Sequence, residues 1–254
     1  MAISIKSTRE LERMRAAGEI VGEVLELMHR HVRPGITTAE LDRIACEHIT
    51  ARGGTPSFLG YHGFPASICA SVNDEIVHGI PGPRVLQEGD IISVDVGVIK
   101  NGYHGDGAVT LPVGTVSEEA QRLIETTEGA LEAGIAQAVP GNRLGDISAA
   151  IQEYAESRGF DLVREYVGHG IGREMHEEPQ VPNFGVANTG PRLRPGMALA
   201  IEPMLTIGSA ATRVRPDGWT VVTAGGGLAA HYEQTIAITP EGPVVLTAVP
   251  HHVV

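Results

Sequence analysis

The sequence has few cysteines, lysines and aromatic residues, and it has no long apolar run. In 254 residues there are two cysteines (Cys46 and Cys69), two lysines and 4% aromatic side chains. Two thiols without a CxxC pair exclude a disulfide scaffold and a thiolate-type structural zinc site. No stretch approaches the roughly 18 apolar residues of a membrane span, and the N-terminal segment lacks the apolar core of a secretory signal. We therefore expect a cytoplasmic protein that does not interact with membranes.

Acidic residues dominate the charge. With 31 Asp and Glu against 19 Lys and Arg, the formal net charge is −12. This argues against direct nucleic-acid binding, which needs a basic surface. The acidity is explained either by a solvated surface that aids solubility or by carboxylates gathered around cations. The length suits one large domain, and we expect residues 1–254 to form it.

Helix and strand signals alternate along the chain. A capping box, Ser7-Thr8-Arg9-Glu10, predicts a first helix, and Thr37 predicts the start of a second. Further helices are predicted over residues 117–138 and 144–158. The Asn101-Gly102 dipeptide favours a tight hairpin turn between strands 91–98 and 103–111. The later strands are predicted over residues 197–206, 213–215, 219–223 and 231–239.

The two halves of the chain repeat each other at an offset of about 106 residues. Pro34-Gly35 recurs as Pro140-Gly141, and Arg52-Gly53 recurs as Arg158-Gly159. With one inserted residue, His62-Gly63 matches His169-Gly170 and Asp95 matches Glu202. The shared order predicts an α+β fold of two related halves, roughly 1–112 and 113–254, facing each other across a pseudo-twofold axis. A cleft is expected where they meet.

Four predicted strands each carry one carboxylate on their less apolar face. These residues are Asp95, Asp106, Glu202 and Glu233. Glu233 alternates with His231 and Thr235, and Asp95 alternates with Ser93 and Gly97. A lone strand carboxylate is usually solvated, but aspartate is disfavoured in strands, and four such positions together indicate a shared purpose.

One histidine stands in a setting that favours ligand binding. His169 lies within Gly168-His169-Gly170-Ile171-Gly172, where the glycines allow backbone and ligand to approach closely. For most of the eleven histidines, a surface or hydrogen-bonded core role is the commoner interpretation. Four carboxylates and one imidazole form a mostly oxygen donor set, which suits Mn, Fe, Co or Zn ions. Four negative ligands also balance two divalent cations.

The chain resembles the type I methionine aminopeptidases, metallopeptidases of family M24, along nearly its whole length. The segments that carry the resemblance are Leu59-Gly60-Tyr61-His62-Gly63-Phe64-Pro65, Val72-Asn73-Asp74-Glu75, His78-Gly79-Ile80-Pro81, Ser93-Val94-Asp95-Val96-Gly97, Gly102-Tyr103-His104-Gly105-Asp106, Gly168-His169-Gly170-Ile171-Gly172, His176-Glu177-Glu178-Pro179, Ile201-Glu202-Pro203-Met204 and Tyr232-Glu233. The resemblance implies the pita-bread fold, with helices packed outside a curved antiparallel sheet. The 31-residue interval between Glu202 and Glu233 is too short for the extra helical subdomain of the type II enzymes.

The resemblance also assigns residue roles. It implies five ligands for two divalent metal ions, namely Asp95, Asp106, His169, Glu202 and Glu233. It implies that His78, His176 and Glu202 take part in catalysis, and that His78 and His176 also contact the substrate. The methionine pocket would be lined by Tyr61, Phe64, Cys69, Met175 and Trp219. From the duplication, His62 is expected at the mouth of this pocket rather than at the metals, although a surface role is the alternative.

The activity implied by the resemblance is removal of the initiator methionine from nascent polypeptides whose second residue is small. A monomer that works transiently near the ribosome would suffice for this task. The nearest alternative is a proline-directed aminopeptidase of the same fold, a class that carries a large N-terminal domain for which 254 residues leave no room. A non-enzymatic pita-bread binding module is the other alternative, and such modules have typically lost ligands that are all present here.

Overall fold

The computed structural model describes residues 2–248. Within this range the chain forms four α-helices: α1 Thr8–His31, α2 Thr38–Ala51, α3 Glu118–Ala136 and α4 Leu144–Glu156. The same range contains fifteen strands: β1 Thr55–Pro56, β2 Ile68–Val72, β3 Glu75–Val77, β4 Ile91–Lys100, β5 Tyr103–Pro112, β6 Asp161–Leu162, β7 Gly168–Gly170, β8 Glu177–Val181, β9 Ala198–Ile201, β10 Met204–Thr206, β11 Thr212–Val214, β12 Val221–Thr223, β13 Ala229–His231, β14 Glu233–Thr239 and β15 Gly242–Val245. Met1 and residues 249–254, the ends of the expected domain, lie outside the described residues.

The helices begin where the sequence predicts. The Ser7 hydroxyl accepts a hydrogen bond from the Glu10 amide, and the Glu10 carboxylate accepts one from the Ser7 amide at 2.9 Å. This completes the capping box at α1. The Thr37 side chain accepts a hydrogen bond from the Glu40 amide and so caps α2. None of the helices in residues 2–248 has the length and apolar character needed to cross a membrane.

A large antiparallel sheet forms the centre of the described structure. Its strand order is β1-β4-β5-β14-β9-β7-β8, with β2 also paired to β4 and β15 to β14. The described residues also form two separate three-stranded sheets, with the orders β13-β10-β6 and β11-β12-β3. Helix α1 packs on β4 and β5, while α3 packs on α4 and on β13. This α+β arrangement of a curled antiparallel sheet with helices outside it confirms the predicted fold.

The contact between α1 and the sheet depends on two facing glycines. A Cβ atom on Gly105 of β5 would lie 2.9 Å from the amide nitrogen of Gly18 of α1. Larger side chains at this crossing would therefore push the helix away from the sheet. The close approach buries Val21 and Leu25 of α1 completely, which anchors the helix beside the strands that carry the site.

The internal duplication is visible in the hydrogen bonds. The Gly35 amide donates to the Leu86 carbonyl, and the Gly141 amide donates to the Leu193 carbonyl. Isolated bridges repeat the match, because Thr37 pairs with Val85 in the first half and Arg143 pairs with Arg192 in the second. Both glycines have positive φ angles, 91° at Gly35 and 96° at Gly141. The same contacts therefore recur at the repeated positions of the sequence.

Two strands predicted as continuous are each divided. The predicted strand 197–206 is interrupted at Glu202-Pro203, because proline has no amide hydrogen to give to a ladder. The predicted strand 231–239 is interrupted at Tyr232, which separates β13 from β14. Glu202 therefore follows a strand instead of lying within it, which corrects the expectation of four carboxylates inside four strands.

Candidate metal centre

Strand pairing places three of the four carboxylates on one face of the sheet. Asp95 of β4 pairs with Ala108 of β5, and Ala108 pairs with Glu233 of β14. Directly paired residues share a face, so Asp95 and Glu233 lie in one row across the sheet. Asp106 precedes Ala108 by two residues and therefore projects from the same face.

Strands of the second half complete this face. His169 of β7 pairs with Ala200 of β9, and Ala200 pairs with Thr235 of β14. Glu202 follows Ala200 by two residues. The Asp106 amide donates to Thr235 Oγ1 at 2.9 Å, and the Thr235 hydroxyl donates to the Asp106 carbonyl at 2.8 Å. These bonds hold the two halves together at the position where the five donors meet.

The His169 ring lies close to two of the carboxyl groups without a hydrogen bond to either. His169 Nε2 lies 3.7 Å from Asp106 Oδ2 and 3.7 Å from Glu202 Oε1, which is too long for a hydrogen bond. The other ring nitrogen, Nδ1, lies 2.9 Å from the Gly170 carbonyl. Because Nδ1–H donates there, the Nε2 lone pair faces the carboxylates, as in many metal-binding histidines.

Unsatisfied carboxylate oxygens fit bound cations. One buried oxygen atom of each of Asp95, Asp106 and Glu233 has no hydrogen-bond partner among the described residues. Such groups are costly unless an ion or water satisfies them. Donor atoms of Asp106, His169 and Glu233 lie within 4.8 Å of one another, a spacing that could hold a metal ion.

Crowding of the four carboxyl groups perturbs their titration. Burial raises the pKa of Asp106 to about 7. Burial, reinforced by the neighbouring Asp106 carboxylate, raises the pKa of Asp95, Glu202 and Glu233 well above their usual ranges. Like charges this close cannot all remain ionised without compensation. Divalent cations would supply that compensation, so the donor set fits the metal ions that the resemblance implies.

The donors form one wall of a cavity of about 250 Å³. The cavity is lined by Phe58, Tyr61, His62, Phe64, Cys69, His78, Asp95, Asp106, His169, Met175, His176, Glu202, Trp219 and Glu233. It therefore brings together every residue that the sequence analysis placed at the metals, in catalysis or in the pocket. Phe58 also lines the cavity.

Another part of the cavity lining is apolar. Phe64, Cys69 and Met175 are buried in one cluster, and Trp219 packs against it. The rings of Phe64 and Trp219 meet edge to face, with centroids 5.2 Å apart. A thioether interacts favourably with aromatic edges of this kind. The cavity thus combines a metal-binding wall with an apolar pocket.

His78 and His176 lie next to the donor set. The ring of His176 lies 4.3 Å from that of His169 between centroids, and its Nδ1 is 2.8 Å from the Tyr61 hydroxyl. Partial burial, together with the neighbouring His169 and His62 imidazoles, lowers the pKa of the otherwise exposed His176 to about 4. Burial also lowers the pKa of His78 to about 4. Both rings are therefore neutral at pH 7. His62 is exposed and lines the cavity.

The sequence analysis missed His231 as a possible donor. His231 ends β13 and lies beside Glu202 and Glu233, with which it forms a second group of atoms spaced for a metal ion. Its position two residues before Glu233 was the available signal, since a residue at that spacing in an extended chain shares the same face.

A curled sheet with this carboxylate and imidazole cluster defines the chain as a metal-dependent hydrolase. Residues 12–240 match metallopeptidase family M24. The chain belongs to that family. It is 56% identical over 247 residues to the methionine aminopeptidase of Clostridium perfringens (strain 13 / Type A), covering 97% of this chain and 99% of the relative.

Solved structures agree with this assignment. The methionine aminopeptidase of Thermotoga maritima superimposes with a TM-score of 0.96 at 46% identity, covering 97% of this chain and 100% of that one. A prolidase from Pyrococcus furiosus superimposes with a TM-score of 0.78 at 22% identity, covering 96% of this chain and 65% of that one. The second likeness shows a shared fold alone.

Proposed function

We propose that this chain is a methionine aminopeptidase that removes the initiator methionine from polypeptides. The observation that carries the proposal is the cavity itself, where the donor cluster faces the apolar pocket formed by Phe64, Cys69, Met175 and Trp219. A methionine side chain in that pocket would bring the first peptide bond to the donor wall. The high identity to proteins named methionine aminopeptidases supports the same substrate.

The metal ligands in this proposal are Asp95, Asp106, His169, Glu202 and Glu233, holding two divalent ions. Four carboxylates carry four negative charges, which two divalent cations neutralise. The ions are Mn, Fe, Co or Zn, given the oxygen-rich donors and a single imidazole in this set. When bound, they polarise the substrate carbonyl and lower the pKa of the attacking water.

Protein side chains supply the remaining steps. Glu202 accepts a proton from the attacking water as general base. His176 donates a hydrogen bond from Nε2 to the carbonyl oxygen as it gains charge. This role needs the His176 tautomer with its proton on Nε2. A hydrogen bond from the Tyr61 hydroxyl to Nδ1 favours that tautomer, and the 2.8 Å separation of the two atoms supports the bond. His78 hydrogen-bonds the nitrogen of the scissile amide.

The substrate range follows from the position of the site. The free α-amino group would bind at the metal centre, so cleavage is restricted to chain ends. Tyr61 and His62 would contact the substrate at the pocket mouth, where the second residue lies. We propose that this residue must be small. We further propose a single catalytic domain that acts as a monomer on nascent chains in the cytoplasm, transiently near the ribosome.

A panel of four peptides tests this proposal. The protein supplied with Co²⁺ or Mn²⁺ should release methionine from Met-Ala-Ser, and should do so much more slowly from Met-Leu-Ser. It should leave acetyl-Met-Ala-Ser and Ala-Pro-Ser intact. Preferential cleavage of Ala-Pro-Ser would instead support the proline-directed activity. No cleavage of any peptide, with metal bound, would support a binding module.

A further inference from the structure

A second histidine lies at the donor wall. The side chain of His231 is almost fully buried, and its Nε2 lies 3.8 Å from Glu202 Oε2 and 3.9 Å from Glu233 Oε2. Neither ring nitrogen has a hydrogen-bond partner among the described residues. The backbone is fixed, because the His231 amide donates to Thr110 Oγ1 and the Thr110 hydroxyl donates to the His231 carbonyl. The ring is thus held beside two carboxylates without a bond to either.

This arrangement differs from that of a hydrogen-bonded core histidine. His104 provides the contrast within the same fold, since it is also buried but its Nδ1 lies 2.9 Å from the Ser57 hydroxyl. A buried imidazole with two unpartnered nitrogens is costly, because burial removes the hydrogen bonds that water would make. The protein's own described atoms therefore supply neither a hydrogen-bond donor nor any other partner for the Nε2 lone pair.

The geometry at His231 matches that at His169. The Nε2 atom of His169 lies 3.7 Å from carboxylate oxygens of Asp106 and Glu202, and that of His231 lies 3.8–3.9 Å from oxygens of Glu202 and Glu233. Two donors that each lie about 2.1 Å from one ion are about 3.0 Å apart at a coordination angle of 90° and about 3.6 Å apart at 120°, so the separations at both histidines exceed this spacing by only a few tenths of an ångström. Both histidines are spaced to share an ion with the carboxylates.

We propose that His231 is a sixth protein ligand of the metal centre, binding a divalent cation through Nε2 together with Glu202 and Glu233. The inference rests on the proposed metal centre and extends its ligand set. Glu233 then belongs to two donor groups, one with Asp106 and His169 and one with Glu202 and His231. Each of the two ions has one imidazole ligand. A nitrogen donor at both positions favours Co, Fe or Zn over Mn.

Proton NMR of the Co²⁺-loaded wild-type protein tests the ligand directly. Imidazole N–H protons on rings bound to Co²⁺ shift far outside the ordinary spectral range, and ¹⁵N labelling of histidine identifies them. We expect two such signals at full loading, one from each ligating ring. One signal at full loading would overturn the inference while leaving the metal centre in place. No Co²⁺ binding at all would overturn both.

Calorimetric titration with Co²⁺ provides a second test through His231→Gln. Glutamine preserves the backbone bonds to Thr110 but has no imidazole. One of the two binding steps should weaken at least about tenfold, since even outer-shell changes cost 10–100-fold in metal affinity, and one shifted signal should disappear. His104→Gln, a matched control that removes a buried imidazole with a partner, should bind Co²⁺ like the wild type. Wild-type affinity and two shifted signals in His231→Gln would contradict the proposal.

Discussion

Replacing His176 by Ala should reduce turnover sharply while leaving the metals in place. The ring lies 4.3 Å from His169 between centroids but belongs to neither group of donor atoms. Its loss removes one hydrogen bond to the developing charge, which costs about 2.7–4 kcal/mol or about 10²–10³ in kcat by analogy with oxyanion donors. Steady-state hydrolysis of Met-Ala-Ser measures kcat and KM, and elemental analysis of the purified variant measures metal content.

A graded companion variant sharpens this test. Tyr61→Phe removes only the hydroxyl bonded to His176 Nδ1, which should cost about 0.5–1.5 kcal/mol, or about 2- to 13-fold in kcat. In the double variant the two costs should not add, because Tyr61 acts through His176. Two results would refute the reasoning: metal lost from His176→Ala, or a change confined to KM. Fully additive costs would show that Tyr61 acts independently.

Three further predictions concern the ligands, the pocket mouth and the helix cap. Asp106→Ala should bind less Co²⁺ by calorimetry and show no metal-dependent hydrolysis; appreciable turnover would contradict its central place. His62→Ala should keep full metal stoichiometry by elemental analysis and change KM or kcat moderately, whereas His169→Ala should bind metal more weakly; loss of one metal equivalent in His62→Ala would make His62 a ligand. Hydrogen bonds from Ser7 and from Tyr103 lower the pKa of Glu10 to about 2, so its ionised form stabilises the fold above pH 4.5 and that stability is lost as the pH falls toward 2. Glu10→Gln should therefore cost about 0.5–1.5 kcal/mol at pH 7 in urea denaturation, with the difference from wild type disappearing near pH 2; a difference independent of pH would contradict the linkage.

Local signals predicted most of the helices and the central hairpin. Ser7 and Glu10 cap α1, and Asn101-Gly102 forms the turn between β4 and β5. Each signal acts within a few residues, so no tertiary information is needed to interpret it. The internal duplication could also be recognised in the sequence, because its glycines stand where the backbone is left-handed, a conformation that few other residues adopt.

Features that depend on packing escaped the sequence analysis. The strand Ile68–Val72 is buried at every position, so it lacks the alternation that identifies a half-exposed strand. The breaks at Glu202 and Tyr232 divide strands whose apolar pattern is continuous. His231 was noted as a neighbour of Glu233, but only the fold brings it to Glu202, whose strand is distant along the chain.

The sequence predicted which residues belong to the candidate site, but it did not predict the distances between them. All five proposed ligands and the two histidines proposed for catalysis line one cavity. Which carboxylates approach His169, and how closely, depends on the register of β5, β7, β9 and β14, which no single segment encodes. The apolar pocket likewise draws on distant segments, since Phe64 and Trp219 meet only in the folded chain.

We propose that a dinuclear metal site on this fold removes N-terminal methionine. The most direct test strips the protein with a chelator, restores Co²⁺ in steps and follows Met-Ala-Ser by mass spectrometry. We predict no loss of methionine from the peptide with stripped protein and full activity on approaching two equivalents of metal. Methionine release by the stripped protein, or none after two equivalents have bound, would contradict the account.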